Sequence, residues 1–138
     1  MTLHPLVLAE LLAAEADVAR ERLAGRVDSV SAEGDHVVVS FRAHDHLWRL
    51  RLDGAEYDAK PLAVSLVDDA GATVGVEAWP PGLAYGGDHP FVHRPWVCIR
   101  GTFEYHTYPG HTADGWERYR GSLRLPDVVS HLLEKVGV

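Results

Sequence analysis

Apolar positions recur at three- and four-residue intervals from Leu8 through Leu11, Leu12, Val18 and Ala19 to Leu23. That period lays them along one side of a helix. Pro5 suits a first turn, and Gly25 can take the left-handed conformation that stops the helix, so an amphipathic helix is expected over about 5–24. From Arg26 the period falls to two. Val27 and Val30 open a strand, Glu33-Gly34-Asp35 reads as a turn, and Val37 to Phe41 is a β-branched run. Trp48, Leu50 and Leu52 alternate with Arg49, Arg51 and Asp53, the pattern of a half-buried antiparallel strand, and Leu62 to Val67 makes a fourth after Pro61.

Pro80, Pro81, Gly82, Gly86, Gly87 and Pro90 then crowd a stretch too irregular for helix or sheet, so 79–95 is expected to be a loop on which a site can be built. Trp96–Ile99 and Phe103–Tyr108 read as short β-type runs around Arg100-Gly101-Thr102. Pro126, then Val128, Val129, Leu132, Leu133 and Val136, then Gly137, spell a closing helix. The expectation is therefore a single α+β domain over 1–138: helix, four-stranded antiparallel meander, loop-rich site region, helix.

Composition narrows the partners. The 138 residues carry 20 acidic and 13 basic side chains, a net charge of −7, which disfavours a nucleic-acid backbone or an anionic membrane as the main partner. The first residues lack a basic cluster, and Glu10 breaks the apolar run after Leu6, so neither a secretory signal nor a membrane span is read there and a cytoplasmic protein is expected. One cysteine rules out an internal disulfide. Nine histidines in so short a chain are the unusual feature, because histidine both binds metals and carries protons near neutral pH.

Cys98, Glu104, His106 and His111 put four metal-competent side chains into fourteen residues. Fully extended, Cys98 and Glu104 would lie roughly 20 Å apart at about 3.3 Å per residue. A tight turn at Arg100-Gly101-Thr102 would instead set them across from each other, with His106 on the same face by alternation and His111 folded back by Pro109-Gly110. Thiolate, carboxylate and two imidazoles suit a borderline divalent ion, Zn²⁺ first and Fe²⁺ second. The competing reading is a small buried cysteine with ordinary solvated or hydrogen-bonded neighbours. His89 and His93 stand in the preceding loop as a fifth ligand or proton carrier, and Asp88 and Asp114 as partners that would orient ligand imidazoles. Phe91, Trp96 and Trp116 are expected to wall the site. His44 and His46 flank Asp45 in a turn, where solvation is the simpler reading.

The pattern Cys98-x5-Glu104-x-His106-x4-His111, framed by Trp96 and Trp116, resembles a predicted metal-binding family named for these four residue types and linked to bacterial ubiquitin-like conjugation systems. The resemblance covers mainly 88–136 and implies a metal at those residues. A second resemblance spans nearly the whole chain. The helix and meander, Tyr57-Asp58-Ala59-Lys60-Pro61, His89-Pro90, Cys98 nine residues after His89 and the closing helix are similar to ubiquitin-conjugating enzymes. It implies a carrier thiol at Cys98, but Phe91 stands where that family's His-Pro-Asn motif has its oxyanion-stabilising Asn. The leading expectation is a zinc-binding domain in or beside a ubiquitin-like pathway, with no thioester formed; its rivals are a thioester carrier on Cys98, a metal-dependent hydrolase or oxygenase, and a structural adaptor.

Overall fold

The computed structural model describes residues 3–138. Helix α1, Pro5–Arg22, leads into strands β1, Ser29–Glu33, β2, His36–Ala43, β3, His46–Asp53, and β4, Ala63–Val67, which pair antiparallel in chain order. The N-cap of α1 is His4, whose Nδ1 accepts from the Leu6 amide at 3.2 Å. The register sets Val37 opposite Leu52, Val39 opposite Leu50, and then Leu50 opposite Leu66 and Leu52 opposite Val64. Because side chains alternate along a strand, that register stacks the apolar residues on one face, and all six are essentially buried.

On the buried face lie Leu8, Leu12, Ala16, Ala19 and Leu23 of the α1 region and Val128, Val129, Leu132, Leu133 and Val136 of helix α3, Leu125–Lys135 and its cap. The opposite face of the sheet carries Ser29, Ser31, Arg49 and Arg51. No described helix is long and apolar enough to cross a membrane.

Two polar groups inside this framework tie its ends together. Glu15 is buried on α1, where its carboxylate accepts from the Tyr57 hydroxyl at 2.8 Å, the Leu125 amide at 3.0 Å and the Arg124 guanidinium. Arg124 also pairs with Asp58 at 2.6 Å and lies over the Tyr57 ring, and Asp58 takes Arg120 at 2.9 Å. The stretch Tyr57–Asp58 and the start of α3 are thus fastened to α1 by charge-assisted hydrogen bonds.

The segment between β4 and α3 departs from expectation. Trp96–Ile99 is irregular, and Phe103–Thr107 is a short helix, α2, where a β run was expected. Thr102 caps it, its Oγ1 accepting from the Tyr105 amide at 3.2 Å while its hydroxyl donates to the Ile99 carbonyl at 2.7 Å. Among the described residues, three single 3-10 turns also occur, at Val76–Ala78, Pro109–His111 and Trp116–Arg118.

Candidate functional site

The helix at 103–107 decides where the four signature residues go. In a strand, Glu104 and His106 would share a face; in a helix, residues two apart diverge by about 200° at 3.6 residues per turn. Glu104 accordingly turns inward and is fully buried beneath β4. Its carboxylate accepts from the Val64 amide at 2.8 Å and pairs with Arg94 at 3.0 Å. Burial pushes this carboxyl above its ordinary value, with Arg94 pulling the other way.

His106 points elsewhere, and both its nitrogens are engaged. Nδ1–H donates to the Asp114 carbonyl at 2.7 Å, and Nε2 accepts from the Gly101 amide at 3.0 Å. This is a neutral imidazole by construction, and burial holds its pKa below 6.5. His111 stacks on Tyr105 with ring centroids 4.1 Å apart, and its Nδ1 is buried without a partner. Cys98 sits on the irregular segment, partly exposed, with Lys135 of α3 the charge that acts on it. Burial raises the thiol pKa and Lys135 lowers it, the first being larger.

Among the described residues, no three His, Cys, Asp or Glu side chains are placed to hold one ion. The residues expected to hold Zn²⁺ or Fe²⁺, Cys98, Glu104, His106 and His111, are thus not gathered into one such group. The Glu104 carboxylate is committed to a guanidinium and a backbone amide, and both nitrogens of the His106 imidazole are bonded within the fold.

The neighbours expected to support an ion also have other work. His89 is fully buried: Nε2–H donates to the Glu104 carbonyl at 2.8 Å, and Nδ1 accepts from the Phe91 and Val92 amides at 3.1 and 3.3 Å. It is a brace for the turn at Pro90, not a fifth ligand. His93 and Asp88 are exposed. The Asp114 carboxylate takes the Tyr105 and Tyr119 hydroxyls and Arg100, which hold it well below the usual carboxylate range, so only its carbonyl orients an imidazole.

Phe91 and Trp96 both pack on His89, whereas Trp116 packs on a different histidine, His106. Trp96 is buried against Tyr85, His89 and Tyr108, Trp116 packs on His106 and donates to the Asp58 carbonyl at 2.8 Å, and Phe91 is 63% exposed. His44 and His46 are exposed at the β2–β3 turn.

Sequence reasoning missed Arg94. Its guanidinium donates to the Val64 carbonyl at 2.9 Å as well as to Glu104. Nothing in the local pattern marks it, because its partners lie on β4 and α2. No family model matches this chain, and no curated protein matches it.

Proposed function

We propose that this chain works through the free thiol of Cys98, as a carrier in a ubiquitin-like modification pathway. One observation carries the reading. Of the four signature residues, Glu104 and His106 are committed to hydrogen bonds inside the fold and His111 to an aromatic stack, whereas Cys98 is partly exposed and is the one thiol in the chain. The order of elements also agrees with the layout of ubiquitin-conjugating enzymes, which supports that resemblance at the level of helix, four-stranded sheet and helix.

Loading would proceed by exchange of thiol for thioester. Cys98 gives up its proton, its sulfur attacks the carbonyl carbon of a C-terminal thioester on an activating enzyme, and that enzyme's thiolate leaves. Two features slow the step. Burial raises the thiol pKa, which lowers the thiolate fraction. Phe91 brings no side-chain donor for the oxyanion, and its own amide, like that of Val92, is already given to His89.

The test supplies a ubiquitin-like protein, its activating enzyme and ATP. An adduct that thiol reductant removes and that Cys98→Ser abolishes is expected; no adduct on the native chain overturns the reading. Alkylation of Cys98 should be unchanged by chelator.

A metal keeps one observation in its favour, the unpartnered Nδ1 of His111. Elemental analysis of the purified chain tests it: one zinc per chain, lost on His111→Ala and Cys98→Ser, would restore the zinc-binding reading.

A further inference from the structure

Cys98 rides on a loop whose two ends meet on one residue of β4. Arg94, at the entry, donates to the Val64 carbonyl at 2.9 Å. Glu104, at the exit ten residues later, accepts from the Val64 amide at 2.8 Å. The two side chains then pair with each other at 3.0 Å, with the Glu104 side chain fully buried and that of Arg94 22% exposed. In effect the pair occupies the outer edge of β4 as a neighbouring strand would, using a guanidinium and a carboxylate in place of a backbone N–H and C=O.

The backbone continues the same seam. The Phe103 amide donates to the Leu62 carbonyl at 2.8 Å, and the Val74 amide donates to the Leu66 carbonyl at 3.1 Å. Between its ends, the loop is held by Trp96, whose carbonyl accepts from the Tyr85 amide at 2.8 Å, and by the Thr102 hydroxyl on the Ile99 carbonyl. At Gly101, φ is +100° and an added Cβ would lie 3.1 Å from Val128, so the turn after Cys98 presses on α3.

We infer that Arg94 and Glu104 are positioning residues for Cys98: their buried pair closes the base of the 94–104 loop on Val64 and thereby sets how far the thiol is exposed. The inference rests on the thiol reading above for its functional meaning, but its geometry stands without it. It also gives Glu104 a role that a metal ligand would not have. An ion at Glu104 would have to compete with the amide and the guanidinium that its oxygens now bond.

The test reads thiol accessibility with iodoacetamide on the intact chain, so a chain that never forms a thioester still answers it. Glu104→Gln keeps the shape of the side chain while removing its charge, and Arg94→Gln removes both the charge and the guanidinium that reaches the Val64 carbonyl and Glu104 together. Each is expected to speed Cys98 alkylation about tenfold, the range that coupled neighbours span, and the double variant should be no faster than the faster single. Arg94→Lys keeps the charge but not the two-pronged guanidinium, and should fall between native and Arg94→Gln. Folded variants that alkylate at the native rate, or single effects that multiply in the double variant, overturn the inference. If neither Gln variant folds, hydrogen exchange on the native chain decides: the Val64 amide should exchange as slowly as the amides of β3, and exchange at the rate of an exposed loop amide overturns it.

Discussion

Glu104 shows how a residue can carry the chemistry of a ligand and do the work of a strut. Its carboxylate is fully buried, and a buried charge is tolerable only with a partner and hydrogen bonds, both of which Arg94 and the Val64 amide provide. Glu104→Ala leaves a guanidinium without its carboxylate and an amide without its acceptor, so a loss of about 3–5 kcal/mol is expected in urea unfolding. Glu104→Gln keeps an acceptor for Val64 and should cost clearly less. An equal cost for both would mean that packing, not polar pairing, is what Glu104 contributes. The four residue types were legible from the sequence, and so was a turn at Gly101, but the helix that follows it does not gather the four as the expected hairpin would. Their engagement was not legible, because the competing partners of Glu104 and His106 are a β4 amide, a guanidinium and two backbone groups that carry no sequence signature. Of the four, Cys98 is free and the Nδ1 of His111 has no partner.

At the scale of elements, period decided what could be read. The two-residue alternation in β2 and β3 and the 3.6-residue stripe in α3 are long enough to specify burial, and those elements stand where the pattern puts them. Phe103–Thr107 is five residues, three of them β-prone, too short for either period to register, and its state is set from outside by a cap and a stop. Thr102 before it and Pro109 after it are the signals that mark a helix there. Thr102→Ala is therefore expected to cost about 1 kcal/mol by removing the cap. It also removes the hydroxyl bond to Ile99, so the amides of 103–107 should lose hydrogen-exchange protection while those of β2 and β3 keep theirs. Gly101→Ala should be worse. It puts a Cβ at φ +100° and against Val128, where the strain exceeds the roughly 1 kcal/mol that a compatible Gly-to-Ala change yields. Retained stability in that variant would show that the turn relaxes away from α3.

Across the whole molecule, the polar ties made by His106, Asp58 and Asp114 share one liability, which is acid. His106 stays neutral in the fold because burial disfavours its charge and because Nε2 must accept from Gly101; Arg100 and His111 oppose a proton there, and Asp114 favours one. A folded-state pKa below the ordinary 6.5 means that the unfolded chain takes up the proton first, so this contribution is present above 6.5 and is lost as pH falls through the folded value. Asp58, held low by Arg124 and Arg120, adds a second contribution, present above 3.8 and lost at lower pH. Asp114, held low by two tyrosine hydroxyls and Arg100, acts in the same direction. Glu104 works the other way, since its raised pKa favours the fold as protons are added. The expected profile of urea midpoint against pH is level from 8 to about 6.5, declines gently below that, and falls steeply below about 4, near an unperturbed Asp. His106→Asn should remove the first decline and leave the second, and Asp58→Asn should lower the plateau and blunt the second. A native profile without a break near 6.5, or a break that survives in His106→Asn, would move the neutral-pH sensitivity to another histidine and remove His106 from the ties that hold the turn at Gly101.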